Sequence, residues 1–249
     1  MTEQQRQRAI RLRLAGSQER RGAGALPTGF AALDSALGVG GFPRGSIVEI
    51  FGPSSSGKTT LALEIVAHAQ RNQATAAWVD AERVFDASYA AGLGVLVEKL
   101  PLAQPRSAEQ ALGIVCRLAA SGAVDLLVVD SAAALVPGLE LESGVGDSGV
   151  GLQSRVLASG LRRLRQVVAK YGTVAIFLNQ TRSRMQPSGG EAETSAGGAP
   201  LKLYTAVRLS LDAPAGGRVR FRILKNSVAA AFREGELRRR RSGEFAEGP

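Results

Sequence analysis

Residues 52–60 read Gly-Pro-Ser-Ser-Ser-Gly-Lys-Thr-Thr, an uninterrupted match to G-x-x-x-x-G-K-[ST]. No other stretch narrows the possible folds so far. The apolar run at 47–51, Ile-Val-Glu-Ile-Phe, reads as a short strand before it, and Leu61 and Ile65, one turn apart, open a helix behind it. Strand, glycine-rich loop and helix in that order are the setting in which this pattern holds phosphate instead of merely turning the chain. Gly52 and Gly57 let the backbone curl until successive N–H groups point inward at phosphate oxygens, and the helix N-terminus adds its dipole. The residues in contact with a nucleotide such as ATP are then Gly52, Pro53, Ser54, Ser55, Ser56, Gly57, Lys58, Thr59 and Thr60. Lys58 reaches the β- and γ-phosphates, and the Thr59 hydroxyl ligates Mg²⁺. The competing reading is a glycine-rich turn that binds nothing.

With 249 residues and 45% hydrophobic content, the chain can enclose one sizeable α/β core with short appendages. No apolar run approaches the roughly 20 residues of a membrane span, so a membrane partner is not expected. The first 16 residues carry arginines without a hydrophobic segment, which argues against a secretory signal. Glu3 and Glu19 argue against a transit peptide. Cys116 is the one cysteine, so no internal disulfide can form and a cytoplasmic location fits. His68 is the one histidine, which disfavours a histidine metal site. A formal charge of +9 and a pI near 10.5 favour polyanionic partners, nucleic acid above all.

Three segments follow from the pattern. Residues 1–25 form a basic N-terminal arm in which Ile10, Leu12 and Leu14 interleave with Arg6, Arg8, Arg11 and Arg13. Residues 26–232 form the core, and residues 233–249, with four arginines at 238–241, read as a basic disordered tail. Within the core, a short helix after Pro27 precedes the phosphate loop. Strands are expected at 76–80, 126–129 and 173–178, and helices at 107–120 and 148–170, the latter with Leu157, Leu161, Leu164 and Val168 as its buried stripe. Such alternation predicts an α/β fold with a mostly parallel sheet covered on both faces. Runs 206–211 and 219–224 alternate in polarity, as antiparallel edge strands do.

Ligands of open α/β sheets sit at the carboxyl ends of the strands, and three of those ends carry suitable groups. Asp130 ends 126–130, Leu-Leu-Val-Val-Asp, and would hold Mg²⁺ through its water shell. Glu82 follows the strand at 76–80 and is placed to deprotonate an attacking water. Gln180 ends the strand at 173–178 and is placed to sense a γ-phosphate. Each alone is weak, because an Asp after an apolar run is often only a helix cap.

Residues 26–44, the phosphate loop, 78–94, 123–184 and 197–225 together resemble the bacterial RecA recombinases over about three quarters of the chain. Gly-Val-Gly-Asp-Ser at 144–148 is similar to that family's first DNA-binding loop. Asn-Gln-Thr-Arg at 179–182 is similar to the start of the second, which would run to about Ala196. The resemblance implies a RecA-type P-loop NTPase core with Glu82 and Lys58 catalytic and with Asp86 and Tyr89 on adenine. It further implies Gln180 coupling nucleotide to the second loop, and Arg155, Arg162, Arg182 and Arg184 facing DNA with Gly197 and Gly198. Lys202 and Lys225 would reach the ATP of a neighbouring subunit. Arg155 and Arg162 are seven apart, hence on one helix face away from the leucine stripe; the alternative is a solvated basic face. The chain departs from the family at Ser54, where glutamate is usual, and at Ser227, where a second inter-subunit lysine is expected. It also has a shortened arm and no room after residue 232 for the family's C-terminal domain.

Two functions are therefore expected in competition. One is a DNA-dependent ATPase that uses Mg²⁺, binds single-stranded DNA, with duplex DNA a further candidate, and assembles head to tail in recombination and repair. The other is a reduced paralogue acting as a non-exchanging adaptor in damage tolerance, of the SOS or translesion kind, with ATP as a structural ligand.

Overall fold

The computed structural model describes residues 24–142, 151–185, 191–195, 199–240 and 243–246; for 182–185 and 191–195 it describes the backbone. Twelve strands occur among these residues: β1 (Ala25–Leu26), β2 (Phe42–Pro43), β3 (Ile47–Gly52), β4 (Ala76–Asp80), β5 (Leu102–Ala103), β6 (Leu126–Asp130), β7 (Val174–Met185), β8 (Glu191–Ser195), β9 (Val207–Leu211), β10 (Arg218–Asn226), β11 (Glu234–Arg239) and β12 (Phe245–Ala246). The helices are α1 (Ala31–Leu37), α2 (Lys58–Arg71), α3 (Ala87–Gly92), α4 (Ala108–Ala120), α5 (Gly138–Glu142), α6 (Leu152–Tyr171) and α7 (Ala199–Tyr204). The large sheet runs β12-β11-β10-β9-β3-β7-β6-β4-β5, with β8 paired to β7, while β1 and β2 pair separately.

β3, β4 and β6 are buried at every position. That is why they read as unbroken apolar runs, as parallel strands covered on both faces must. Two cores result. Val48, Ile50, Trp78, Val128 and Ile176 pack on one face with Leu33, Leu61 and Ile65. Ala77, Val79, Leu127, Val129 and Phe177 pack on the other with Leu112, Leu157, Leu161 and Leu164. The expected stripe of α6 is fully buried. A Cβ at Gly160 would meet Leu112 Cδ1 of α4 at 2.5 Å, so a larger residue there would have to displace that leucine.

The α/β class and the parallel centre agree with the sequence, and three expectations need correction. First, β9 is not an edge strand: it lies parallel to β3 and antiparallel to β10, and the sheet continues through β11 to β12. Second, residues 234–239 and 245–246 are strands, not part of a disordered tail. Leu237 and Phe245 are buried in the first core, and these two apolar anchors outweigh the charges around them. Third, β7 does not stop near 178 but runs to Met185 and turns back as β8, so most of the expected second loop has a hairpin backbone. The 144–148 stretch, Gly197, Gly198 and the arm before Gly24 lie outside the described residues. Among the described residues, no helix is long and apolar enough to cross a membrane.

Candidate active site

β3 ends at Gly52, where a Cβ would lie 2.3 Å from Leu211 O, so the strand can turn into the loop only as glycine. The loop closes at Gly57, which has φ 92 and caps α2. A Cβ there would meet the Phe245 ring at 2.7 Å. Lys58, the first residue of α2, folds back over the loop and donates from Nζ to Pro53 O at 2.7 Å and to Gly52 O at 3.1 Å. Burial lowers the Lys58 pKa, and the charges of Asp130 and Glu82 oppose that shift. The ammonium is thus bonded to carbonyls that a phosphate oxygen, a stronger acceptor, would replace.

Beside the lysine, the Thr59 hydroxyl donates to Asp130 Oδ2 at 3.0 Å. Burial is the main cause that pushes the Asp130 carboxyl up to about 6; the Thr59 hydrogen bond opposes it, the charges of Glu82 and Asp80 add to it, and Lys58 opposes it. A buried carboxylate short of positive partners, joined to a hydroxyl at a helix N-terminus, is a donor set that fits a hard oxygen-seeking cation such as Mg²⁺. Glu82 approaches from the end of β4, where its Oε1 accepts from the Ser131 hydroxyl. The parallel register that sets Asp80 beside Asp130 brings Glu82 and Ser131 together. Asp80 has a structural part, because its carboxylate accepts from Val84 N, Phe85 N and Gln104 Nε2 and so fixes the turn that carries Glu82.

The other expected residues fall into place unevenly. Asp86 caps α3 by accepting from Tyr89 N at 2.9 Å, and the Tyr89 hydroxyl lies 2.8 Å from the Thr60 hydroxyl, so both flank the start of α2. Gln180 is exposed at the point where β7 passes the phosphate loop, in register with Gly52. Arg155 and Arg162 are exposed on α6, opposite its buried stripe, and among the described residues no carboxylate pairs with either. Arg182 and Arg184 have their backbone in the β7–β8 hairpin. Lys225 lies on β10, on the far side of β9, and donates from Nζ to Lys202 O and Leu203 O.

Sequence reasoning missed two contributors. The Phe245 ring packs on Gly57 and edge-on against Phe30, and its N–H donates to Glu64 of α2, so the final strand braces the phosphate loop. Arg239 leans over the loop as well, donating to Ser55 O at 3.5 Å and Gly243 O at 3.2 Å. Only the single apolar residues at 237 and 245, amid charges, could have signalled this.

The sequence profile of the RecA N-terminal domain matches residues 3–240. The chain belongs to that family. It is similar to protein RecA of Thermus thermophilus, 53% identical over 222 residues that cover 85% of this chain and 65% of the relative. It is similar also to protein RecA of Chlorobium chlorochromatii, 50% identical over 222 residues covering 86% of this chain and 63% of the relative. The chain thus spans a little under two thirds of the length of these RecA relatives.

Proposed function

We propose that this RecA-family chain hydrolyses ATP in response to single-stranded DNA and assembles head to tail upon it, in recombination and repair. The observation that carries the reading is the convergence of Lys58, the Thr59–Asp130 pair and Glu82 at the carboxyl ends of β3, β6 and β4. The phosphate loop takes the triphosphate through its inward N–H groups and Lys58. Thr59 and Asp130 would hold Mg²⁺, which offsets negative charge on the β- and γ-phosphates when bound. Glu82, kept in orientation by Ser131, accepts the proton of the attacking water as it adds to the γ-phosphorus in line with the leaving oxygen. Lys58 stabilises the charge that develops on the transferred group. Asp86 and Tyr89 flank the nucleoside, and Gln180 reads whether a γ-phosphate is present. Arg155, Arg162, Arg182 and Arg184, with Gly197 and Gly198, take the DNA backbone, and Lys202 and Lys225 complete the site of a neighbouring copy.

One observation favours a second reading, in which the chain is an adaptor that holds ATP without turning it over. Lys225 is tied to carbonyls of its own chain, so trans completion requires it to leave them. ATP turnover with and without single-stranded DNA, beside electron microscopy for filaments, decides the matter. DNA-stimulated turnover with filaments supports the enzyme, and tight ATP binding without turnover supports the adaptor.

A further inference from the structure

Four polar side chains cross the middle of the sheet in one row, outside the phosphate cradle. Asn179 of β7 donates from Nδ2 to Glu49 Oε1 at 2.8 Å. Arg208 of β9 donates from Nε to Glu49 Oε2 at 2.6 Å. Lys225 of β10 stands in register with Arg208, as Arg208 does with Glu49. The Glu49 side chain is 0% exposed and that of Arg208 12%. The Arg208 guanidinium also covers the Phe51 ring at 4.6 Å.

A carboxylate at the centre of β3 is costly, because the desolvation of each buried ion is worth several kcal/mol. A pair buried this deeply gains little over an apolar pair of the same volume. Stability is therefore a poor account of it, and position is a better one. Each end of the row meets a residue of the proposed site. Asn179 Oδ1 accepts from Gln180 N at 2.9 Å, so the amide that grips Glu49 also sets the backbone of Gln180. At the other end, Lys225 Nζ is bonded to the last turn of α7.

We propose that Glu49 is a positioning residue for the ATP site, holding Gln180 through Asn179 and offsetting the Arg208 charge that stands beside Lys225. The inference rests on the nucleotide reading above and on Gln180 as the group that meets the γ-phosphate. One carboxylate then pre-sets both the sensor within the chain and the lysine offered to a neighbour. The charges support the link: burial lowers the Lys225 pKa, Arg208 and Arg165 lower it further, and Glu49 opposes them. Without the Glu49 charge, Arg208 repels Lys225 unopposed.

The test reads melting temperature of the full chain with Mg·ADP and with a non-hydrolysable Mg·ATP analogue. The extra shift given by the analogue reports the γ-phosphate contact. Gln180→Ala should keep the ADP shift and lose that extra. Glu49→Gln should do the same, and the double variant should be no worse than either alone. In steady-state turnover, Glu49→Gln and Lys225→Ala together should fall short of additivity by at least roughly threefold, the range for residues in one network. A merely structural Glu49 lowers every melting temperature equally and its effects add. If Glu49→Gln does not fold, Asn179→Ala, which leaves the ion pair intact, decides the Gln180 arm, and Glu49→Gln/Arg208→Gln, which removes both charges, decides the Lys225 arm. An extra shift retained in Glu49→Gln, while Gln180→Ala loses it, overturns the proposal alone. Absence of any nucleotide shift in the unaltered chain overturns both this inference and the nucleotide reading.

Discussion

The Thr59 hydroxyl donates to Asp130 Oδ2 at 3.0 Å and so joins the first turn of α2 to the last residue of β6. Seventy-one positions apart, the two meet because β3 and β6 both run parallel to β7, one on either side of it. The cation-holding role proposed for both has a direct consequence. Asp130→Asn should raise the Mg²⁺ concentration needed for tight ATP binding by roughly tenfold or more, as for groups that act through a metal's water shell. Nucleotide binding without Mg²⁺ should change little, since the amide keeps the Thr59 hydrogen bond. A Mg²⁺ titration of nucleotide affinity checks this, and an unchanged midpoint removes Asp130 from the cation site.

Glu82→Gln should leave ATP binding nearly intact and lower turnover by about 10²- to 10⁴-fold, the range for a general base. Ser131→Ala, which removes only the hydroxyl that steadies Glu82, should lower turnover less and leave affinity alone. Turnover in Glu82→Gln equal to that of the unaltered chain removes the base assignment.

Glu64 of α2 carries a pH dependence that comes mainly from its burial. Its carboxyl is pushed up to about 7, mainly by burial; the Phe245 N–H opposes that, the Glu244 charge adds to it, and Arg240 and Arg71 oppose it. Between the unfolded value of 4.5 and about 7, the folded chain holds a proton that the unfolded chain has lost. Stability must therefore fall as pH rises through that window. After allowance for solvent screening of a partly exposed group, the loss is about 1–2 kcal/mol. Glu64→Gln should flatten it. Urea midpoints from pH 4.5 to 7.5 read the difference, and identical slopes in both proteins show that Glu64 is not the cause.

The phosphate loop, the strands β3, β4 and β6 and the stripe of α6 were legible because each is a local pattern. Burial on both faces gives an apolar run, and a helix face gives a 3.6-residue period. Asp130 and Glu82 could be singled out because the first ends such a run and the second lies two residues beyond one. The Glu49–Arg208 pair was hidden for the opposite reason: its partners are 159 positions apart, and strand register alone unites them. One signal was present, an acid inside the apolar run at 47–51, and it marks a buried partner to be found. β11 was illegible because its exposed charges, Glu234, Glu236 and Arg238, outnumber its one core anchor, Leu237, and β12 because it is two residues long with Phe245 as its one anchor. The second half of β7 was missed because residues 179–185 carry no apolar pattern, although they pair with β8.

The proposed DNA surface can be tested through its salt dependence. Arg155 and Arg162 project from one exposed face of α6, and Arg182 and Arg184 belong to the hairpin that begins beside Gln180. If the four contact phosphates, the logarithm of affinity for single-stranded DNA should fall linearly with that of salt, at roughly −0.7 per neutralised phosphate. Each Arg→Ala change should weaken binding to all sequences alike and flatten that slope by roughly 0.7. Sequence preference should not change, because residues 185–196 contain no aromatic side chain to stack on bases. The rival source of affinity is the arginine run that begins at 238, and removing it by truncation is not a fair test. A cut before Gly235 would strip Leu237 from the core and Phe245 from the phosphate loop, so lost binding would report lost structure. Arg238→Gln with Arg240→Gln removes two charges while leaving both anchors in place. Binding that survives this pair and falls in Arg155→Ala/Arg162→Ala locates the DNA on α6. The reverse pattern, with the salt slope carried by Arg238 and Arg240, moves the nucleic-acid surface to the far edge of the sheet and refutes the assignment made to α6.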